Sequence, residues 1–174
     1  MRVFVFGVMV FGLAGIAPAA RADDKSEIKK LFTKLSTAFK NKDTNGIFAL
    51  CTPDFTEKNH GMVIDAKASR AQMEQMFAMA KSIKDCTFTP TKIDVTGSTA
   101  TAASVGKSSF VIVDSQGMFG AKGLTHNMTD TSTSKCTIVK DKGKWKFKQL
   151  EMLTESPVVD GKPLKMGGGP PPKK

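Results

Sequence analysis

His60 and His126 are the only side chains whose ordinary pKa suits acid or base work near neutral pH, and each has a carboxylate not far along the chain, Asp65 and Asp130. Asp54, just after Pro53, is a third candidate for proton transfer. A base acts only within reach of the proton it takes, so the fold must bring at least two of these groups together. The surroundings argue against that. His60 falls in a turn and His126 near the end of a long loop, positions that predict solvent-facing rings, and an acid beside a Pro-ended helix ordinarily fixes a turn. Cys51, Cys86 and Cys136 are odd in number, so at most one pair among them can form an internal disulfide, and spacing does not assign it. Without a Cys-x-x-Cys motif or clustered histidines, neither a metal nor a redox site is expected. Gly117, Gly120 and Gly123 do not follow a strand into a helix at phosphate-loop spacing, so no nucleotide cofactor is implied.

The elements that must position these residues are legible from periodicity. Ile28, Leu31, Phe32, Leu35 and Phe39 recur at helical spacing, and Asp24 with Glu27 three residues later reads as a capping box. A shorter helix is expected around Thr44 to Cys51, ended by Pro53. Asp54 to Glu57 and Gly61 to Ile64 read as a small hairpin, and Ser69 with Gln72 as the start of a third helix carrying Met73, Met76, Phe77, Ala80 and Ile83. From Cys86 the texture turns to alternating Thr, Val, Ile, Phe and Ala, which predicts strands near 86–96, 99–113, 128–140 and 143–153. The last two are joined through Asp141-Lys142-Gly143 as an antiparallel hairpin. In the final strand Trp145 and Phe147 share one face while Leu150 and Met152 fall on the other, which predicts a bulge near Lys148-Gln149.

Residues 1–22 have one early cation, an uncharged apolar stretch and Ala20-Arg21-Ala22 before an acidic Asp23, the layout of a cleaved secretory signal. Secretion or a periplasmic address is expected, with no membrane span left after cleavage. Residues 23–155 then make one domain, long enough for a core without staples, and 156–174, ending in Gly and Pro runs, is expected to be a disordered tail. Loss of Arg2 and Arg21, with no acid removed, lowers the formal charge from +10 to +8. Arg70 is then the only arginine. Phosphate recognition favours the arginine fork and single strands want aromatic platforms, whereas this chain is lysine-rich, with no tyrosine and one tryptophan, so a nucleic-acid partner is not expected.

The order helix, short helix, hairpin, helix and four-strand meander resembles the cystatin-like α+β roll of the nuclear-transport-factor-2-like superfamily, in its SnoaL-like and ketosteroid-isomerase-like branches. The echoes are Lys42-Asp43-Thr44-Asn45-Gly46-Ile47 leading to Pro53-Asp54-Phe55, Thr96-Gly97-Ser98-Thr99-Ala100, and Val139 to Phe147 around Gly143-Lys144-Trp145. The resemblance implies three helices packed on a strongly curved, mainly antiparallel sheet around a cone-shaped apolar cavity, and a homodimer. Phe32, Phe48, Phe55, Phe77 and Trp145 are the aromatic candidates for lining it. The tyrosine used by the isomerase branch is absent, and Arg70 is the one mature residue that could stand at the centre of the Asp, Arg and Asp set of related epoxide hydrolases. The reading is therefore a non-catalytic exported domain that binds a small apolar molecule or a protein partner. Its alternatives are a cofactor-free lyase or isomerase using an Asp/His pair, and an envelope assembly module.

Overall fold

Helix α1, Ala22–Lys40, turns Ile28, Leu31 and Phe32 fully inward and leaves its lysines in solvent, the two-sided pattern its periodicity predicts. The computed structural model describes residues 22–164 except 60, 116 and 118, so nearly all of the expected signal (1–21), His60 and the last ten residues of the expected tail lie outside the described residues. After α1 come α2, Thr44–Ala49, strands β1, Cys51–Asn59, and β2, Met62–Asp65, and α3, Ala66–Met79. Long strands follow: β3, Ala80–Thr96; β4, Thr99–Val113; β5, Thr125–Asp141; and β6, Lys144–Glu155. Two short ones, β7, Val158–Val159, and β8, Lys162–Pro163, end the described chain.

Two of the expected caps shift. Asp24 is inside α1, where its Oδ1 accepts from Lys140 Nζ (2.8 Å) and Trp145 Nε1 (3.2 Å) and ties the helix to the β5–β6 hairpin. Helix α3 starts earlier than Ser69 because Asp65 caps it, its Oδ1 accepting from the Ala68 N–H at 2.8 Å. Asp43 does the same for α2, accepting from Gly46 N–H. That helix stops at Ala49, and Pro53 lies within β1 instead of terminating a helix.

The strands form one sheet in the order β2-β1-β6-β5-β4-β3, with β7 and β8 attached beside β5. All pairings are antiparallel except β1 with β6, which makes the sheet mixed. Lys142 and Gly143, both at positive φ, close the β5–β6 hairpin in two residues, with Asp141 opposite Lys144. The register then slips where Thr137 faces Gln149 and Ile138 faces Phe147, so Lys148 is the extra residue of the expected bulge. A second slip leaves out Leu153, and three more in β3 leave out Lys81, Lys84 and Thr91. Each bulge adds twist and bends its strand, so the sheet curls over α1.

The tail expectation is corrected at its start. Val158 and Val159 pair with β5 and fold back through Asp160-Gly161 onto β8, because Asp160 takes the Asn127 N–H (2.8 Å) and Pro157 is buried against the body.

Between helices and sheet sit two apolar clusters. One joins Phe32, Ile138, Trp145 and Phe147; the other joins Ile47, Phe77, Ile83 and Phe110. Phe32 meets Phe147 edge to face, centroids 5.2 Å apart. Phe32→Ala is expected to cost about 3–5 kcal/mol in chemical denaturation, whereas Leu153→Ala, at an exposed bulge, is expected to change stability by less than about 0.5 kcal/mol.

Candidate functional site

The inner wall of the sheet is built from small side chains. On β4 the inward positions are Ala102, Ser104, Gly106, Ser108 and Phe110, and across the β4–β5 ladder they face Cys136, Ser134, Ser132, Asp130 and Met128 in turn. Strand alternation puts all of these on one face. Gly106 keeps a negative φ, so its smallness and not its backbone freedom matters here: a Cβ there would stand 2.6 Å from Ser132 Oγ and 3.2 Å from the Phe88 ring.

Above this wall the helices contribute Phe32, Phe39, Phe48, Met73 and Met76, and a cavity of about 360 Å³ remains between the two layers. The bulge at Lys148 is what lets β6 add Phe147 on one side of it and Leu150 and Met152 on the other to the same wall. The cavity is mostly apolar, with hydroxyls and carboxyls along one part. Ser104 and Ser134 share a 2.7 Å hydrogen bond, and Ser69, in α3, donates to Glu57 Oε2 at 2.7 Å. Asp130 also lines the cavity; burial pushes its carboxyl above the ordinary range, opposed by the Ser156 and Thr131 backbone N–H groups. Glu155, opposite Ser132, completes the acidic side, and Lys107 is the one cation of the lining.

Of the five aromatic candidates, Phe32, Phe48 and Phe55 line the cavity. Phe77 and Trp145 do not; they are packed in the two cores, and Trp145 is further held by Asp24. Asp54 points away from the cavity, since the alternation of β1 sends Phe55 and Glu57 inward and Asp54 out. There it is 3.3 Å from Lys148 Nζ, and the nearby Thr52 side chain and then Lys148 hold its carboxyl low.

The expectation of a solvent-facing His126 is overturned. His126 is 6% exposed, at the start of β5, and the Phe119 ring lies against it with centroids 5.8 Å apart. Its Nδ1 is 2.6 Å from Asp160 Oδ2, and this hydrogen bond is the main cause that lowers the Asp160 pKa. Neither residue lines the cavity, so Asp54 and His126 are not brought together. Arg70 lies outside it too, bonded to Asn45 Oδ1 at 2.8 Å and stacked over Phe48.

The three cysteines are free and buried, and burial pushes Cys51 and Cys86 up to about 12 and Cys136 up to about 11. Thiols so placed stay protonated and are poor nucleophiles. Among the described residues no group of three His, Cys, Asp or Glu side chains could hold a metal ion. Sequence reasoning missed Glu57, Ser132 and Glu155, named Asp130 only as a carboxylate near His126, and took Ser69 only as a helix start. The serines at 104, 108, 132 and 134 were a visible period-2 signal, but only the register across the hairpin shows that they face one another.

No protein-family model matches the chain, and no curated protein is similar to it. Solved structures are. A type 2 hexachlorocyclohexane dehydrochlorinase is 11% identical over 87% of this chain and 96% of its own, with a TM-score of 0.60. An NTF-2-like protein of unknown function from Shewanella oneidensis is 13% identical over 74% of this chain and 98% of its own, with a TM-score of 0.53. A protein of unknown function with a cystatin-like fold from Nostoc punctiforme is 16% identical over 76% of this chain and 91% of its own, at 0.51. The chain therefore has the nuclear-transport-factor-2-like, cystatin-like α+β fold.

Two predictions follow from the wall. Below the unfolded-state pKa of Asp130 both states hold the proton; above it the unfolded chain ionises first, which favours unfolding until the folded carboxyl also ionises. Asp130→Asn is thus expected to be more stable than the parent at neutral pH and equal to it at about pH 2–3, read from denaturation midpoints. The thiols are expected to resist an aromatic disulfide reagent in the native protein and all three to react once it is unfolded.

Proposed function

We propose that this protein is an exported, non-catalytic domain that takes up a small apolar molecule in the cavity between its helices and its bent sheet. One observation carries the proposal: a hollow of about 360 Å³ persists beside two packed cores, walled by Phe and Met side chains. A space of this kind and size suits a small-molecule site. A ligand hiding about 300 Å² of apolar surface gains roughly 7–8 kcal/mol from leaving water, before the cost of association. Met73, Met76, Met128 and Met152, unbranched and polarisable, allow the wall to fit more than one shape.

The non-catalytic part rests on how the reactive side chains are disposed. Asp54 and His126 stand outside the cavity, each held by another partner, and the thiols are protonated. Export rests on the sequence pattern of residues 1–22. The proposal also includes pairing of two copies, for which light scattering across protein concentration is the measurement.

Titration with the neutral fluorescent probe N-phenyl-1-naphthylamine is expected to show saturable uptake at one site. Gly106→Val, which fills the floor, and Met73→Trp, which fills the roof, are each expected to weaken it at least tenfold while leaving the circular dichroism spectrum intact. No saturable uptake by the parent chain, or unchanged uptake by both variants, would refute the proposal.

A further inference from the structure

The polar part of the cavity has a sign opposite to that of the molecule. The chain carries 26 lysines and arginines against 16 acids, yet the cavity lining holds Glu57, Asp130 and Glu155 against Lys107 alone. These carboxyls are not an isolated surface cluster. Asp130 and Glu155 flank Ser132, which faces Glu155 on β6 and Gly106 on β4 in the register of the sheet. Residues directly opposite have Cβ atoms about 5 Å apart, and the next inward residue along a strand is about 7 Å away, so the three side chains share one end of the hollow.

Ser132 adds an independent observation. Its side chain is 7% exposed, it lines the cavity, and its hydroxyl has no hydrogen-bond partner among the described residues. The hydroxyl lines the hollow, so a ligand group that enters can reach its oxygen and donate to it. The space in front of it is kept open by Gly106, whose missing Cβ would lie 2.6 Å from Ser132 Oγ. Ser69, Ser104 and Ser134 do not share this property, since Ser104 bonds Ser134 and Ser69 bonds Glu57.

We infer that the cavity selects an amphiphile with an apolar body and a positively charged, hydrogen-bond-donating head, such as a primary ammonium, seated between Ser132, Asp130 and Glu155. The apolar body lies among the Phe and Met side chains, and the head donates to the Ser132 hydroxyl oxygen and the Asp130 carboxylate. The Ser156 N–H donates to Asp130 Oδ1 (3.1 Å), and with the Thr131 N–H it fixes the carboxylate toward which the head is drawn. Lys107 is exposed, so solvent screens its charge. The inference rests on the binding reading above and narrows it to one ligand chemistry.

Three probes with the same chain and different heads test it: octylammonium, octanol and octanoate, each displacing N-phenyl-1-naphthylamine at neutral pH and about 0.15 M salt. The basic surface would draw octanoate, so a preference for the cation must come from the cavity. Octylammonium is expected to bind at least tenfold more tightly than octanoate and several-fold more tightly than octanol. Asp130→Asn is expected to remove most of that preference, and Ser132→Ala to reduce it. Asp130→Asn is expected to be the more stable protein at this pH, so its loss of affinity is not a loss of fold. Equal binding of octylammonium and octanol, tighter binding of octanoate, or a preference that survives Asp130→Asn would overturn the inference and leave the binding reading standing. Failure of all three probes and of the naphthylamine would overturn both.

Discussion

The contact of Phe32 on Phe147 is the joint on which the architecture depends. An amphipathic helix of this length cannot leave Ile28, Leu31 and Phe32 in water, and a sheet with Trp145 and Phe147 on one face cannot leave that face bare. The edge-to-face pair brings both apolar surfaces together at one place. Immediately after Phe147 the strand slips by one residue at Lys148, so Leu150 and Met152 return to the face they would otherwise leave. One extra residue thus converts the end of a packed core into the wall of a hollow.

Why the hollow does not collapse follows from the same geometry. The bulges fix the curvature of β3 and β6, and Asp24 holds the first turn of α1 to Lys140 and Trp145, so the helix layer cannot sink onto the inner face. The wall beneath is made of Ser104, Gly106, Ser132 and Ser134, too small to fill the gap, with Ser104 bonded to Ser134. Larger residues at these positions would make a better core and a worse container. The structure gives up packing where it would otherwise be easiest to gain.

Much of this was legible in the residues. The stripe on α1, the long β-strands, the turn at Lys142-Gly143 and the slip near Lys148 all come from local patterns of period 3.6 or 2, and local patterns are written in the chain. What escaped depends on partners far away in sequence. The parallel pairing of β1 with β6 leaves no local trace, and neither does the ordering of Val158 and Val159 by β5. Asp65 and Ser69 both suit a helix start; only Asp65 has a free N–H three residues on, while Ser69 is occupied by Glu57. His126 read as a loop residue because the strand bearing it begins three residues before its alternation becomes apparent, and the preceding connection has no periodicity of its own.

The slips in β3 have a further effect, since this strand forms one border of the sheet. Its outward backbone groups are interrupted at Lys81, Lys84 and Thr91, and Pro90 offers no N–H at all. An incoming strand from another chain would meet a kinked, cationic margin that cannot keep step with it for more than a few residues. The feature that shapes the interior thereby also guards the molecule against fibre-like stacking along its longest open side.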